Sequence, residues 1–226
     1  MKLTQLSLNG HDICMHEKGQ NGPFLIHGVH ANVQEECERI ATLITRYAPG
    51  KAFTLVTFSC RSWNGDYSPW AADVESREPF SGQGRDTLAF LETELLPSLA
   101  VGERPVFIGG YSLSGLFALW ALYESDLFSG AAACSASLWY PCWDGFAQSH
   151  HPKHPALLYL SLGEKEEKTR HPLMCRVGDA MRTQDALAEA DPMILAHTLV
   201  MHPGGHGTEG DIRMAKGFAW LLEHAQ

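Results

Sequence analysis

Twelve residues, Phe107–Ala118 with the sequence FIGGYSLSGLFA, carry the strongest signal in this chain. The run Val106–Gly109 is short and apolar, which predicts a strand buried on both faces. A helical pattern covers Leu113–Tyr123, so a tight strand-to-helix turn must lie between the two. Ser112 lies at that turn. This context is the one that a nucleophile elbow requires, because a strained backbone lifts the serine oxygen above the end of the sheet.

The residues around Ser112 are small where such a turn needs them to be. The chain on either side passes close to the serine, so the residues two before and two after it must be small. Around Ser112 these are Gly110 and Ser114, whereas around Ser114 one of them is Leu116, which would crowd the turn. Ser112 is therefore the candidate nucleophile, although the usual G-x-S-x-G pattern has glycine where Ser114 stands. The alternative interpretation is a glycine-rich strand–helix turn with a capping serine.

Strands and helices alternate along the rest of the chain. Alternating segments at 2–8 and 12–17, joined by Asn9-Gly10, predict a hairpin. Apolar runs then lie at 23–27, 52–59, 106–109, 130–135, 156–162 and 196–201, and helical patterns at 33–47, 85–99, 113–123, 173–190 and 211–224. Asn32 is the expected cap of the first helix. Since parallel strands need crossover connections, this order predicts one α/β domain, residues 1–226, with helices on both faces of a largely parallel sheet.

The composition argues against several classes of function. The 226 residues carry a net charge of −9 and no basic block, which speaks against a nucleic-acid partner. The first residues lack the apolar core of a signal peptide, and no apolar stretch reaches the roughly 18 residues of a membrane span. Six scattered cysteines without a CxxC pair favour idle cytosolic thiols over a secreted disulfide framework. We therefore expect a soluble, cytoplasmic protein without a membrane partner.

A base for Ser112 is expected after the last predicted strand. A serine hydroxyl needs a base, and in this type of fold the order along the chain is serine, acid, histidine. Of the 12 histidines, His206 lies in the segment HPGGHG (202–207), between the last strand and the last helix, and is flanked by glycines. His202 lies at the end of a strand and suits a structural role, and His27 lies in an early strand that precedes Ser112 in the chain. The cluster His150, His151 and His154 lacks metal-ligand spacing and is interpreted as a surface loop.

The acid is expected in the segment GEKEE (163–167), which follows the predicted strand 156–162. Glu166 is the choice for orienting the imidazole, and Glu164 and Glu167 are the alternatives. The same segment is also typical of a solvated charged loop.

An oxyanion hole and aromatic substrate contacts complete the predicted site. The N–H of Leu113 at the helix start is one expected donor. The second is the N–H of Val29 after an early strand, with His30 as the alternative. Aromatic and polar residues of two loops are the predicted substrate contacts: Trp63, Asn64, Tyr67 and Trp139. The tryptophans of the long polar loop 60–83, Trp70 above all, equally suit packing of that loop against the domain.

With these residues assembled, the chain resembles the α/β-hydrolase superfamily, and within it the group of esterase D and enterochelin-esterase-like enzymes. The resemblance rests on GYSLSGLFAL (110–119), LFSG leading into SASLW (127–139), LSLGEKE (160–166) and the loop of His206. It spans nearly the whole chain. It implies an α/β-hydrolase fold with a mostly parallel sheet of about eight strands, and the segment 139–155 is too short for a large lid domain.

The resemblance also implies a function. Members of the group are serine hydrolases that cleave carboxylic esters or thioesters of small molecules such as siderophores, sugars and glutathione, without a metal or an organic cofactor. The expected activity is therefore that of a serine esterase with a Ser-His-acid triad. The alternatives are a thioesterase or other acyl hydrolase of the same fold, and a binding module that has lost its activity, which the departure at Ser114 keeps open. Neither the natural substrate nor the oligomeric state is specified.

Overall fold

The computed structural model describes residues 2–225 and is built around one eight-stranded sheet. Its strands are β1 Lys2–Leu8, β2 His11–Lys18, β3 Phe24–Val29, β4 Phe53–Ser59, β5 Val106–Tyr111, β6 Gly130–Cys134, β7 Ala156–Gly163 and β8 Ile194–His202. They lie in the order β1-β2-β4-β3-β5-β6-β7-β8. Within that sheet the pairs β1–β2 and β2–β4 are antiparallel and the others are parallel. The predicted hairpin and the mostly parallel sheet are confirmed.

The helices cover both faces of this sheet. They are α1 Val33–Tyr47, α2 Trp63–Asp66, α3 Gly84–Phe90, α4 Leu113–Glu124, α5 Trp143–Ser149, α6 Val177–Ala190 and α7 Gly210–His224. The buried side chains of α1 and α7 share one core cluster, and those of α3, α4 and α6 share the other. In α4 every residue from Leu113 to Tyr123 is buried, because this helix is covered by its neighbours on all sides. Ser112 at its start is therefore fixed by the core itself.

The structure corrects several details of the sequence prediction. Asn32 precedes α1 in a left-handed conformation, and its side chain makes no capping hydrogen bond. The loop 60–83 contains α2 and a small ribbon of Ala71–Ala72 against Phe80–Ser81. The helix predicted over 85–99 widens into a π-helical turn at Leu91–Leu95 and ends with Leu96–Ser98. Pro97 accounts for the wider turn, because its ring collides with the carbonyl four residues earlier in a regular α-helix.

The remaining boundaries differ little. The segment 173–190 begins with a short 3-10 turn, Met174–Arg176, before α6. The connection between β6 and β7 contains only the seven-residue helix α5, in agreement with the expected lack of a large lid. Within residues 2–225, no helix is long and apolar enough to cross a bilayer. All six cysteines are free thiols.

Candidate active site

Ser112 occupies a strained turn between β5 and α4. Its backbone has φ 61° and ψ −121°, a conformation that L-residues adopt only where the surrounding structure enforces it. The enforcement comes from β6 and the loop after it, since Ser112 N donates to Cys134 O at 3.1 Å and Ser112 O accepts from Ser137 N at 3.0 Å. At Gly110 a Cβ would lie 2.0 Å from the carbonyl oxygen of Ser114, so only glycine fits there. The steric requirement predicted from the sequence is thus present in the turn.

Ser114, which replaces the usual glycine, closes this turn. Its side chain is buried, and its Oγ accepts from Tyr111 N at 3.0 Å while donating to Tyr111 O at 3.0 Å. A hydroxyl that both donates to and accepts from one residue holds the two sides of the turn together. The departure from the motif therefore adds hydrogen bonds and does not obstruct the backbone.

His206 links Ser112 to a carboxylate. His206 Nε2 lies 3.0 Å from Ser112 Oγ, and His206 Nδ1 lies 2.7 Å from Glu166 Oε2. A carboxylate only accepts hydrogen bonds, so Nδ1 carries the proton and Nε2 is left to accept from the serine hydroxyl. The side chain of His206 is half exposed, whereas that of Glu166 is buried. The arrangement has the nucleophile–base–acid order that acyl transfer uses.

Glu166 is the one of the three predicted glutamates that contacts His206. Its second oxygen, Oε1, accepts from Ser135 Oγ at 2.7 Å and from Gly163 N at 2.7 Å. Burial alone would raise the pKa of Glu166, but the hydrogen bonds from His206, Ser135 and Gly163 outweigh it and lower that pKa below its usual value. The carboxylate is therefore ionised near neutral pH. Glu164 is exposed, and Glu167 instead pairs with an arginine of α6 at 2.8 Å.

Comparison with known proteins identifies the fold. No family model matches the chain, and no curated protein sequence matches it. The structure is similar to an IroE-like serine hydrolase from Shewanella oneidensis, with a TM-score of 0.76 and 17% identity over 98% of this chain and 80% of that one. It is also similar to siderophore hydrolase EstB from Aspergillus nidulans, with a TM-score of 0.70 and 16% identity over 100% of this chain and 96% of that one. For enterobactin hydrolase IroE, in a complex with DFP, the TM-score is 0.67 and the identity 17% over 98% of this chain and 94% of that one.

The chain has the α/β-hydrolase fold. The resemblance predicted from the sequence is thereby confirmed at the level of the fold. In open α/β sheets, ligands bind at the carboxyl ends of the strands. In this α/β-hydrolase fold, Ser112 follows β5, Glu166 follows β7 and His206 follows β8, so all three side chains lie at that edge.

Arg213, a residue that the sequence analysis missed, lies behind the acid. It is 1% exposed and belongs to the first turn of α7. Its Nη1 donates to Glu166 Oε1 at 2.8 Å and to Ser135 Oγ at 2.9 Å. Its Nη2 donates to the carbonyl oxygens of Pro203 at 3.2 Å and Gly205 at 3.1 Å, within the loop that carries the histidine. One guanidinium thus connects the acid with the loop of the base.

A sequence signal for Arg213 existed. It is followed at intervals of four residues by Gly217 and Leu221, which are both buried, so an arginine stands on a helix face that is otherwise apolar. A buried arginine needs an anionic partner, and the pattern therefore pointed to a buried carboxylate.

Of the two predicted oxyanion donors, Leu113 directly follows Ser112, and Val29 lies at the end of the strand that neighbours β5. Leu113 is the first residue of α4, so its N–H has no acceptor within the helix. Val29 ends β3, and the register pairs His27 of β3 with Gly109 of β5, so the two strands end side by side. The carbonyl of Val29 accepts from Cys60 N at 3.0 Å and from a tyrosine hydroxyl at 3.2 Å, which fixes the peptide that this carbonyl shares with the N–H of His30, the alternative donor.

A cavity of about 190 Å³ opens beside Ser112. Two loops, one after β6 and one after β7, supply most of its wall. The lining residues are Ser112, Ser135, Ser137, Trp139, Glu166, Thr169, Met174, Val177 and His206. Thr169, Met174 and Val177 were not singled out in the sequence, because their segment carries no motif.

Of the four predicted substrate contacts, Trp139 lines this cavity and the other three lie outside it. Tyr67 is fully buried and donates its hydroxyl to Val29 O at 3.2 Å, and Trp63 packs edge-on against it at 5.0 Å. Asn64 donates to the side chain of Ser76 and to a backbone carbonyl of the same loop. These three side chains hold the loop 60–83 against the domain. The contacts seen here are packing contacts, and a role of these residues in substrate binding stays a prediction.

His27 lies in a strand, His202 at the end of one, and the cluster His150, His151 and His154 in an exposed loop, as predicted. Burial lowers the pKa of His27 to about 4, against a hydrogen bond with Gly109 O at 3.1 Å that acts in the opposite direction. His202 is buried at the end of β8. His150 stacks on Phe146, and His151 pairs with Asp191 at 2.9 Å. Among residues 2–225 no group of three or more His, Cys, Asp or Glu side chains is arranged to hold a metal ion.

Proposed function

We propose that this protein is a serine hydrolase that cleaves carboxylic esters of small molecules. One observation carries the proposal: Ser112 Oγ, the ring of His206 and the Glu166 carboxylate form a continuous line with heavy-atom distances of 3.0 and 2.7 Å. The proteins of the same fold that are named serine hydrolase and siderophore hydrolase support the same type of reaction.

In the proposed reaction, the hydroxyl of Ser112 attacks the ester carbonyl carbon while His206 Nε2 takes its proton. The Glu166 carboxylate keeps Nδ1 protonated and stabilises the imidazolium that forms. The negative oxygen of the tetrahedral intermediate accepts hydrogen bonds from Leu113 N–H and Val29 N–H. His206 then gives its proton to the departing alkoxide, which leaves an acyl group on Ser112.

A water molecule completes the cycle. His206 removes a proton from the water as it attacks the acyl-enzyme carbonyl, and the carboxylic acid leaves when the Ser112 oxygen takes the proton back. These steps use the three side chains, the two amides and water.

The test compares Ser112→Ala with the control Ser149→Ala, whose serine is exposed at the end of α5. We expect Ser112→Ala to lose hydrolysis of a p-nitrophenyl ester and covalent labelling by a fluorophosphonate, while the control keeps both. Full activity of Ser112→Ala would overturn the proposal. The two alternatives give other results: a thioesterase has a higher kcat/KM for a thioester than for the oxygen ester of the same acyl group, and an inactive binding module is not labelled at all.

A further inference from the structure

We propose that the cavity beside Ser112 takes one small, uncharged and apolar substituent of the ester, about the size of a single aromatic ring. This inference rests on the proposed function and adds to it the class of substrate. The cavity volume, the chemistry of its wall and the position of one flexible side chain at its rim carry it.

The volume limits the substituent to a small group. The cavity measures about 190 Å³. An apolar protein cavity of about 150 Å³ holds one benzene molecule, and sites for drug-sized ligands start at about 300 Å³. One ring or a short aliphatic chain therefore fills this cavity, and the rest of a larger ester must remain outside it.

The wall selects an uncharged group. Outside the proposed triad, three lining side chains are apolar, those of Trp139, Met174 and Val177. The remaining three carry neutral hydroxyl groups: Ser135, Ser137 and Thr169. The described lining residues include no lysine or arginine, and Glu166 adds a negative charge. Arg213 does not compensate for it, because it is 1% exposed and both of its Nη atoms already donate within the protein. An anionic substituent would lose its hydration beside a carboxylate and gain no cation.

One side of the wall is rigid and the other adjustable. Trp139 packs edge-on against Phe80 at 6.5 Å, and Val177 is buried at the start of α6. Met174 is 38% exposed in the short 3-10 turn before that helix. Methionine is unbranched and flexible, so its side chain sets the upper size of the substituent at this rim.

The experiment uses two series of esters with the purified protein. In one, the acyl chain of p-nitrophenyl esters grows from acetate to dodecanoate; in the other, the alcohol of acetate esters grows in the same way. We expect kcat/KM in one series to rise by about fourfold per methylene until the cavity is full, and then to fall. The series that shows this limit identifies which side of the ester enters the cavity.

Variants of Met174 test whether this cavity sets the limit on chain length. Met174→Ala should move the maximum to a chain about two methylenes longer, and Met174→Trp should move it to a shorter one. Met201→Ala is the matched control, because Met201 on β8 is 41% exposed and lies outside the cavity. Both methionines are partly exposed, so these changes leave the fold intact.

A charged probe tests the wall. If the acyl side enters the cavity, mono-p-nitrophenyl succinate should have a kcat/KM at least about tenfold below that of p-nitrophenyl butyrate, because its carboxylate meets Glu166 without a compensating cation. If the alcohol side enters, 3-acetoxypropanoate should fall below propyl acetate by the same factor. Equal or better turnover of the charged probe on the side that enters the cavity would overturn the inference, as would the lack of a size limit in both series or a limit that Met174→Ala and Met174→Trp leave unmoved. Each of these results requires an active enzyme that is labelled at Ser112, so they are distinct from a failure of the proposed function.

Discussion

Arg213 contacts two parts of the candidate site at once. Its guanidinium donates to the carboxylate of Glu166 and to carbonyls of Pro203 and Gly205, one residue before His206. The distance between acid and base therefore depends on a side chain that touches neither the serine nor the cavity. We interpret Arg213 as a positioning residue for the proposed reaction.

Replacement of Arg213 tests the structural part of that interpretation, namely that the buried pair with Glu166 stabilises the fold. Arg213→Met should lower the free energy of unfolding by about 3–5 kcal/mol, because it leaves the buried Glu166 carboxylate without its cation. The control is Arg182→Met, whose ion pair with Glu167 at 2.8 Å is half exposed and worth at most about 1 kcal/mol. Urea denaturation of the two variants measures the difference. An equal, small loss in both would contradict a structural role for the buried pair.

Some residues of the candidate site could be identified from the sequence, and others could not. Ser112 and His206 could be predicted because each stands in a glycine-containing loop at a fixed place in the order of strands. For the acid, the sequence could limit the candidates only to three glutamates, since the choice depends on which of them turns inward after β7. The contacts of Tyr67 with Val29 and of Arg213 with Glu166 join residues more than 30 positions apart, so the sequence could indicate a buried anionic partner for Arg213 but not which residue it is.

Among the elements, the turn between β5 and α4 places the strictest demands on sequence. A strand and a helix meet there with a positive φ at Ser112, and the carbonyl of Ser114 lies where a side chain at Gly110 would begin. The sequence revealed this turn because steric exclusion leaves a clear pattern of small residues. The π-helical turn after α3 left no such pattern, apart from the proline that follows it.

A methyl group at Gly110 should break this turn. Gly110→Ala should cost about 1–3 kcal/mol of folding free energy through overpacking and should abolish fluorophosphonate labelling at Ser112. Gly145→Ala in α5 is the control: a Cβ there meets no atom within 4 Å, and alanine favours a helix. The two variants are compared by thermal denaturation and by fluorophosphonate labelling. A Gly110→Ala protein that is as stable and reactive as the control would contradict the steric account.

Across the whole molecule, burial of neutral histidine makes folding depend on pH. The pKa of His27 falls to about 4 in the folded protein, mainly through burial in the centre of the sheet. The unfolded chain, with a pKa of about 6.5, binds more protons between the two values. The free energy of unfolding therefore does not depend on the ionisation of His27 above about pH 6.5. As the pH falls from about 6.5 toward 4, His27 lowers the free energy of unfolding by about 3 kcal/mol in total.

His27→Phe should remove this part of the pH dependence. The free energy of unfolding of the wild-type protein should fall by about 2 kcal/mol more than that of the variant between pH 6.5 and 5, measured by urea denaturation at each pH. The exposed His154 provides the control, because His154→Phe should follow the wild-type curve. Parallel curves for the wild-type protein and His27→Phe would show that His27 does not titrate on unfolding.

The position of Arg213 has a consequence for how the protein is made. The serine turn and the acid belong to parts of the chain that leave the ribosome well before α7, yet the guanidinium that joins the acid to the histidine loop arrives only with that helix. An unfinished chain therefore presents Ser112 without an oriented partner. Under the proposed mechanism, we expect the full reactivity of Ser112 to appear only after α7 has docked.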